Sequence, residues 1–463
     1  MNKERALEYA RDNEENTKEA LKTLCRISSI SAKDEYKDKV IESAEATASA
    51  MRAAGLENVE LLTIEGVHPY VYGEWLHAEG APTVILYAHH DVQPTGDLSK
   101  WETDPFEPTE KDGRLYGRGT GDDKAGIMVH LAAIASYLIT EGKLPINIKC
   151  LFEGEEEIGS PNLETCLKKF KDKLKADIVV LTDTESLQNG VPGITTQLRG
   201  LVDVDIEVRA LKKPVHSGGW GGPLPDPTLA LAKMLAKLAD DSGRIAIPGI
   251  YDDVKELDSE ERVAIRKIEM DEASLRRYSG LIEGARFTGE SGYSAHELIW
   301  HRPAISVNAI QASSRAEVSN VILDNAWAHV GIRIVPNMDP KKVQDMLVDF
   351  LRKCAPDNVE VSIERGSTVP WWRTETKHPV FRTVEKAMKA GYGKDLCYIG
   401  CGGSIGFVEP FTNVLGGVPA VLMGVEDPDT NAHSWNESLN LKDFQSAIRA
   451  MIHFFAELAI DKQ

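Results

Sequence analysis

The sequence predicts an α/β protein in which a mostly parallel sheet with helices on both faces is interrupted by a smaller α+β domain. Three observations support this fold class. The chain has 463 residues, which is long for a single hydrophobic core. Short apolar segments alternate with helical patterns in the first half and return near the end. The middle instead has the order strand, helix, strand, strand, helix, strand.

Buried parallel strands are predicted where apolar runs are too short to be helices. Such runs lie at 83–88, 146–152, 178–181 and 419–423. Between the first two, residues 125–141 have apolar side chains at helical spacing, and Gly142 follows as a stop signal. The charged first 24 residues are predicted to form a surface helix, and they lack the apolar segment of a signal peptide.

The middle of the chain has the pattern of a ferredoxin-like domain. Strands are predicted at 201–210, 304–311, 326–335 and 359–363, and helices at 227–238 and 340–353. A segment at about 245–300, rich in charged residues, glycine and proline, is inserted after the first of these helices. We therefore predict an inserted domain at 198–369 and a larger domain formed by 1–197 and 370–463.

Composition argues against several classes of partner. The chain has 53 lysine and arginine residues against 72 acidic residues, so we expect neither nucleic acid nor an anionic membrane as its main partner. No apolar stretch reaches about 18 residues, and we expect no membrane span. The six cysteines are too sparse for a disulfide framework, so we predict reduced thiols and a cytoplasmic protein.

Acidic residues and histidines are concentrated where predicted strands end or a predicted helix begins. These clusters are His89-His90-Asp91, Asp122-Asp123, 153–157, Asp183 and His433. In an open α/β sheet, ligands bind outside the carboxyl ends of the strands, so we expect the clusters to meet at one rim. Carboxylates gathered in this way repel one another unless cations neutralise them, and the pattern therefore predicts a metal site.

Neighbouring residues in two of these clusters are predicted to have different roles. Side chains alternate between faces in an extended chain, so His89 and Asp91 share a face while His90 points away. We expect His89 to bind metal, Asp91 to orient its ring, and His90 to be a packed or solvated neighbour. The same alternation in an extended Glu156-Glu157 would direct one carboxylate to metal and leave the other as a base.

The glycine-rich segment 117–126 (GRGTGDDKAG) does not favour a dinucleotide site. Its glycines lie at 117, 119 and 121, which is not the G-x-G-x-x-G spacing, and two aspartates would repel a pyrophosphate. A tight turn that directs Asp122 into the metal site is the better interpretation of the glycines.

Together these residues resemble the motifs of the co-catalytic metallopeptidases, a family that includes carnosine dipeptidase, cytosolic non-specific dipeptidase, aminoacylase-1, succinyl-diaminopimelate desuccinylase and bacterial glutamate carboxypeptidase. The matching motifs are H-x-D at 89–91, G-R-G-x-x-D-D-K at 117–124, E-G-x-E-E-x-G-S at 153–160, Asp183 after a strand, H-S-G-x-x-G-G at 216–222, I-R-x-V-P at 332–336, G-G-S-I at 402–405 and A-H-S-x-N-E at 432–437. The resemblance extends from about residue 24 to the C-terminus.

The resemblance implies a catalytic domain at 1–197 and 370–463 that binds two divalent metal ions, with zinc preferred and manganese or cobalt as alternatives. The implied ligands are His89 and Asp183 for one ion, Glu157 and His433 for the other, and Asp122 as a bridge. Two ions at about 3.5–4 Å share one water and lower its pKa toward neutrality. In relatives, the peptide bond that corresponds to Asp122–Asp123 is cis.

The resemblance also implies how a small peptide substrate is bound and cleaved. Glu156 would be the general base and Asp91 a supporting residue behind the ligands. His216 of the inserted lid and dimerisation domain would stabilise the oxyanion, often across a homodimer, and Arg333 would clamp the terminal carboxylate. Further substrate contacts are expected from Asn320, Gly403 and Ser404.

The resemblance favours a dipeptidase over other branches of the family. Aspartate at position 183 is usual in dipeptidases, and HHDVQP and YGRGTGDDK are similar to their motifs, so we predict hydrolysis of the amide bond of dipeptides. The alternatives are an N-acyl-amino-acid amidohydrolase or a metallocarboxypeptidase of the same family. A non-catalytic metal-binding scaffold is disfavoured because Glu156 and the full ligand set are present. Gly121 and Glu155 depart from the usual family residues and leave the side-chain preference open.

Overall fold

The structure, a computed structural model, describes residues 2–460. In chain order the helices are α1 Lys3–Asp12, α2 Glu14–Cys25, α3 Lys37–Ala53, α4 Lys124–Glu141, α5 Leu163–Lys169, α6 Ser217–Trp220, α7 Pro227–Leu235, α8 Ser259–Lys267, α9 Glu272–Ser279, α10 Ala295–His301, α11 Pro340–Cys354, α12 Pro379–Tyr392, α13 Val408–Val414 and α14 Leu441–Ile460. The strands are β1 Glu57–Leu62, β2 Tyr70–Trp75, β3 Thr83–His89, β4 Thr109–Lys111, β5 Arg114–Tyr116, β6 Asn147–Glu153, β7 Ile178–Leu181, β8 Gly193–Leu198, β9 Gly200–Arg209, β10 Val215–His216, β11 Ala304–Gln311, β12 Val321–Ile322, β13 Asn325–Ile334, β14 Glu360–Val369, β15 Trp372–Arg373, β16 Cys397–Cys401, β17 Ala420–Leu422 and β18 Ser438–Asn440.

The chain forms two compact units. Within the described residues, the first unit contains the chain up to 196, residues 374–399 and the chain from 407 onward. The second unit contains 197–373 and 400–406, a range that includes the segment 198–369.

The first unit is built around a sheet whose centre is parallel. Its strand order includes β1-β2-β6-β3-β7-β17-β8. Strand β3 pairs in parallel with both β6 and β7, and β7 pairs in parallel with β17. The pairs β1–β2 and β2–β6 are antiparallel and lie toward one edge. The prediction of a mostly parallel sheet is therefore confirmed.

Strand β3 has no charged residue between Val84 and Ala88 because both of its faces are covered. Val84, Leu86 and Ala88 belong to the main hydrophobic core of the unit, which also contains buried residues of α4 and α14. On the other face, the Tyr87 ring contacts Phe407 and Phe411 at centroid distances of 4.8 and 5.6 Å. Burial on both faces explains why apolar residues are continuous here and do not alternate with polar ones.

The second unit has the ferredoxin-like arrangement that the middle of the sequence predicts. Its antiparallel sheet has the order β11-β13-β9-β14, and α7 and α11 follow β9 and β13 in the chain. Alternate side chains of β9, from Val202 to Val208, are buried with Leu347 and Val348 of α11. Helices α8, α9 and α10 lie in or next to the predicted insertion at about 245–300.

The prediction of a single surface helix over the first 24 residues is wrong. Two helices, α1 and α2, occupy this segment, and Asn13 separates them with a non-helical φ of −112°. Ala6, Ala10, Leu21 and Leu24 are buried in the main core of the first unit. These four residues form an apolar stripe that packs against the rest of the domain. The stripe is easily overlooked in the sequence because charged residues dominate this segment.

Two expectations from composition can be compared with the structure. All six cysteines are free. Among residues 2–460, none of the helices has the length and apolar character needed to cross a lipid bilayer.

Candidate metal centre

The predicted site residues of the first unit lie at the carboxyl ends of adjacent parallel strands. The register of β3 and β6 pairs His89 with Glu153, and the register of β3 and β7 pairs Tyr87 with Leu181. Asp183 follows β7 by two residues, so it lies near His89 at the same rim. The carboxyl ends of parallel strands lie along the same edge of a sheet, so residues that follow different strands in the sequence come together at this edge.

Asp122 lies between two histidines and directs one carboxylate oxygen toward each of them. Its Oδ1 is 2.9 Å from His89 Nε2, and its Oδ2 is 3.1 Å from His433 Nε2. His433 Nε2 is also 3.1 Å from Glu157 Oε2, and His89 Nε2 is 3.8 Å from Asp183 Oδ1. The five side chains predicted to bind metal are therefore brought together around Asp122.

The donor atoms in this cluster are close enough to share metal ions. His89, Asp122 and Glu157 form one group whose ligand atoms lie within 4.8 Å of one another, and His89, Glu156 and Asp183 form another. Imidazole nitrogens mixed with carboxylate oxygens are the donor set that zinc and similar transition metals accept in hydrolytic enzymes. The residues present therefore fit divalent ions.

Burial and mutual repulsion shift the protonation of this cluster. Burial raises the pKa of Glu156 well above its usual range, raises the pKa of Asp183, and raises the pKa of Glu157 to about 7. Burial acts on Asp122 in the same direction, but hydrogen bonds from His433 and His89 outweigh it and lower the pKa of this carboxyl. Without added positive charge the cluster thus retains protons, which bound cations would displace.

Asp91 connects His89 to the segment that carries the two glutamates. His89 Nδ1 is 3.1 Å from the Asp91 carbonyl oxygen and 3.4 Å from Asp91 Oδ1. The Asp91 carboxylate accepts hydrogen bonds from the backbone N–H groups of Glu156 at 3.3 Å and Glu157 at 3.1 Å. His90 points elsewhere, with Nε2 3.0 Å from the Pro69 carbonyl oxygen, and burial lowers its pKa to about 4.

The expectation that Glu156 and Glu157 lie in an extended chain is wrong. They begin a 3₁₀ helix, Glu156–Ile158, which closes at Gly159 with φ +85°. The carboxylate of Asp91 stabilises this turn because it accepts the N–H groups of both glutamates. The two side chains still face different carboxylates, since Glu156 groups with Asp183 and Glu157 with Asp122, while His89 belongs to both groups.

Glu437 and Arg118 hold the turn before Asp122, and sequence reasoning assigned neither of them a role. Glu437 Oε1 accepts hydrogen bonds from the N–H groups of Gly121 at 3.0 Å and Asp122 at 3.2 Å, while its Oε2 accepts from Arg118 Nη1 at 2.5 Å. The Asp122–Asp123 peptide bond within this turn is cis, as expected from the resemblance. Both residues belong to motifs described above, but they are 319 residues apart, so the sequence alone did not predict their contact.

The structure explains why glycine occupies position 121. A Cβ atom at Gly121 would lie 2.6 Å from Cγ2 of Thr430, which is too close for two carbon atoms. Thr430 itself holds the chain near His433, because its Oγ1 accepts a hydrogen bond from the N–H of Asp427 at 2.9 Å. The side chain of Thr430 therefore occupies the space that a larger residue at position 121 would need.

The predicted site residues of the second unit form two groups. In one, the pairing of β10 with β12 places His216 opposite Val321, and the Ser217 N–H donates to the Asn320 carbonyl oxygen at 2.8 Å. His216 is exposed, and its Nδ1 accepts the N–H groups of Gly218 and Gly219 at 3.0 and 3.2 Å.

In the other group, Arg333 donates from Nη1 to Ser404 Oγ at 2.8 Å. Gly403 precedes Ser404 in the same loop, and its carbonyl oxygen accepts the Arg199 N–H at 3.1 Å. Arg199 also donates from Nε to the Gly402 carbonyl oxygen at 2.9 Å. The loop 402–404 therefore lies next to two arginines.

The chain resembles known peptidases over most of its length. The sequence profile of peptidase family M20/M25/M40 matches residues 85–457. The Cys-Gly metallodipeptidase dug1 of Schizosaccharomyces pombe is 29% identical over 448 residues, which cover 94% of this chain and 93% of that protein.

Two solved structures share the fold. Human carnosine dipeptidase 1 is 26% identical with a TM-score of 0.86, and the match covers 99% of both chains. The M20 family metallo-carboxypeptidase Sso-CP2 from Sulfolobus solfataricus is 30% identical with a TM-score of 0.83, and the match covers 96% of this chain and 99% of that one.

Proposed function

The chain belongs to peptidase family M20/M25/M40, and from this premise we propose that it hydrolyses dipeptides at the cluster around Asp122. It is a metal-dependent peptidase that acts on small peptides, as a family with metallodipeptidase members implies. The observation on which the site assignment depends is the position of Asp122, which offers a separate oxygen to His89 and to His433. A carboxylate in this position suits two neighbouring ions.

The proposed metal ligands are the five residues of this cluster. We assign His89 and Asp183 to one ion, Glu157 and His433 to the other, and Asp122 to both. When bound, two divalent ions neutralise the carboxylates and activate water as Lewis acids. The mixed imidazole and carboxylate donors support zinc as the resident metal, with manganese or cobalt as alternatives.

Glu156 is the proposed general base. Its carboxylate lies in the group that includes His89 and Asp183, beside the proposed ligands. Burial, together with the charge of Asp183, raises its pKa well above the usual range in the absence of metal. With cations bound, this carboxyl would be ionised and could then take a proton from water. It then delivers this proton to the leaving nitrogen as the amide bond breaks. Asp91 supports the reaction because it orients both the His89 ring and the backbone of Glu156.

His216 is the proposed donor to the oxyanion of the tetrahedral intermediate. Because its Nδ1 accepts two backbone N–H groups, the neutral ring carries its proton on Nε2. Nε2–H is then available as a hydrogen-bond donor from an exposed position. Asn320, held next to it by the pairing of β10 and β12, is proposed as a further contact.

Arg333 is the proposed partner of the substrate's terminal carboxylate. Its guanidinium is oriented by the hydrogen bond to Ser404, which leaves other N–H groups for a planar anion. Gly403 and Ser404 provide further contacts from the adjacent loop. A free carboxylate is present in every unblocked dipeptide and in every N-acyl amino acid, so this contact alone does not separate the two substrate classes.

We also propose a homodimer formed through the second unit. Strand β11 forms one edge of its sheet and is largely exposed, with Val307 41% and Ile310 62% accessible. An exposed apolar edge strand is a template for pairing with another chain, and a second copy of β11 would cover it. The exposed position of His216 is consistent with donation to a neighbouring subunit.

A reducing compartment suits the thiols of this protein. All six cysteines are free, which supports the cytoplasmic location that we propose.

A substrate panel tests the proposed function. Purified protein is assayed with unblocked dipeptides, including Cys-Gly and carnosine, with N-acyl amino acids and with longer peptides, before and after chelation and metal replacement. We expect cleavage of unblocked dipeptides that is lost on chelation and restored by divalent metal. Cleavage of only N-acyl amino acids would instead indicate a deacylase. Preferred cleavage of longer or N-blocked peptides would indicate a carboxypeptidase, the activity named for the similar Sulfolobus solfataricus structure.

A further inference from the structure

Glu426 is a buried carboxylate beside the proposed metal centre that none of the roles above uses. It follows β17 in the segment that leads to His433, and only 7% of the residue is exposed. A carboxylate oxygen of Glu426 lies within 4.8 Å of ligand atoms of both Asp122 and Asp183. The side chain is therefore directed into the centre and not toward solvent.

The backbone holds Glu426 in this position through the same strands that carry Asp183. Strands β7 and β17 are parallel, and their register pairs Leu181 with Leu422. A further parallel bridge pairs Glu185 with Glu426 beyond the strand ends. The Ser186 N–H and Oγ both donate to the Glu426 carbonyl oxygen, at 2.8 and 3.1 Å. The position of the side chain is thus built into the sheet.

The carboxylate of Glu426 has no cationic or hydrogen-bonding partner among residues 2–460. The groups that act on it are acidic: Asp122, Glu185, Asp183 and Asp123. Burial and these neighbours raise its pKa well above the usual range. A buried carboxylate without a partner is costly, and a bound cation is the usual means of satisfying several carboxylates that point at one place.

We propose that Glu426 is an additional ligand for the ion held by His89 and Asp183, and that it increases the preference of this position for manganese relative to zinc. With Asp122, the position then has one imidazole and three carboxylates. Carboxylate oxygens suit harder ions such as Mn²⁺, whereas imidazole nitrogens suit zinc. The position formed by Glu157 and His433 lacks the extra oxygen, so the two positions differ in metal preference. This inference rests on the proposed metal centre.

Metal binding by three variants and the wild-type protein tests the proposal without an activity assay. Metal-free wild type, Glu426→Gln, Glu426→Asp and Glu185→Gln are titrated with Mn²⁺ and followed by electron paramagnetic resonance, and zinc is then added as competitor. Glu426→Gln removes the charge at constant size, and Glu426→Asp keeps the charge but withdraws the oxygen. Glu185 is the matched control, because it is the bridge partner of Glu426 and is not part of a candidate ligand group in the described chain.

We expect both Glu426 variants to bind Mn²⁺ about tenfold or more weakly at one of two positions, with a smaller loss for zinc. Glu185→Gln should bind both ions as the wild type does. Unchanged Mn²⁺ affinity in Glu426→Gln would overturn the proposal. An equal loss in Glu185→Gln, or full affinity in Glu426→Asp, would overturn it too, because negative charge near the site would then explain the affinity without ligation by Glu426. If the wild-type protein binds two ions, any of these results contradicts only the role of Glu426. If the wild-type protein binds no ions, the proposed metal centre itself is contradicted.

Thermal unfolding of the same proteins gives a second measurement. Metal-free Glu426→Gln should melt at a higher temperature than metal-free wild type, because a buried unpaired carboxylate has been removed. Added Mn²⁺ should raise the melting temperature of the variant by less than it raises that of the wild type. An equal Mn²⁺-induced shift in the two proteins would count against ligation by Glu426.

Discussion

Arg118 and Glu437 form an ion pair in which both side chains are buried, with 1% and 0% exposure and a distance of 2.5 Å between Nη1 and Oε2. They are 319 residues apart in the sequence. Glu437 also accepts the N–H of Asp122, and Arg118 donates to the carbonyl oxygen of Ser434, the residue after His433. The pair thus ties the turn that carries Asp122 to the loop that carries His433.

Replacing Glu437 by glutamine should destabilise the protein and loosen the metal centre. The amide can still accept the N–H groups of Gly121 and Asp122, but Arg118 is left as a buried charge without its partner. Breaking a buried pair from one side costs about 3–5 kcal/mol. Denaturant unfolding of the metal-free protein measures this loss, and metal titration measures the accompanying fall in affinity.

An exposed ion pair provides the control. Glu164 and Lys168 pair at 2.6 Å with side chains that are 53% and 63% exposed. Glu164→Gln should change the unfolding free energy by less than about 1 kcal/mol, since exposed pairs contribute little. Similar losses for the two variants would mean that the burial of the Arg118–Glu437 pair does not matter.

Glu156→Gln should abolish most of the turnover while the metal content is unchanged. Glutamine has the size of the base but cannot accept the proton of the attacking water, and loss of such a group lowers rates by about 10²–10⁴-fold. Steady-state kinetics and elemental analysis of the same sample provide the two readouts.

The neighbouring Glu155 is the control for this substitution. It is buried at 3% exposure and accepts hydrogen bonds from the His68 N–H and from Asn162, and it is in none of the candidate ligand groups within the described range. Glu155→Gln should therefore retain turnover. Undiminished activity of Glu156→Gln would show that another group is the base.

The parts of the site that sequence predicts best are those set by short-range geometry. Alternation along an extended strand separates His89 from His90, and parallel pairing then brings His89 close to Asp183. The backbone of Glu156 and Glu157 was predicted to be extended, but it forms a 3₁₀ turn. This turn is stabilised by Asp91, which lies 65 and 66 residues earlier in the sequence. The contact between Arg118 and Glu437 and the position of Glu426 also depend on long-range packing, which no local pattern encodes.

Arg333→Met should weaken the binding of substrates that have a free terminal carboxylate. Charge-assisted hydrogen bonds of this kind contribute about 1.5–3 kcal/mol, so KM should rise by roughly tenfold to a hundredfold. The matching C-terminal amide of the same dipeptide is the control, because it has no anion for the guanidinium to hold. Arg333→Lys should recover part of the loss, since a point charge replaces the planar fork. An equal rise in KM for the dipeptide and for its amide would mean that Arg333 acts on the structure of the site and does not bind the carboxylate.

His130 should make the first unit sensitive to acid. It lies on α4 with its ring stacked on Phe152 at 6.3 Å, and its Nε2 is 3.3 Å from the Tyr87 carbonyl oxygen and 3.2 Å from Thr182 Oγ1. Burial lowers its pKa to about 3, and the hydrogen bond to the Tyr87 carbonyl only partly opposes this. The folded state therefore requires a neutral ring.

The sign of the resulting pH dependence follows from this depressed pKa. The stabilising contribution is fully present above the unfolded-state pKa of about 6.5 and is lost progressively as the pH falls toward 3. At pH 5 the loss is about 2 kcal/mol relative to pH 8. His130→Gln keeps a side-chain donor but cannot bind the proton. The unfolding free energy of both metal-free proteins is measured in denaturant at pH 8 and at pH 5, and the wild type should lose about 2 kcal/mol more than the variant. Because every other titrating group is common to the two proteins, an equal loss would mean that His130 does not control this part of the acid response.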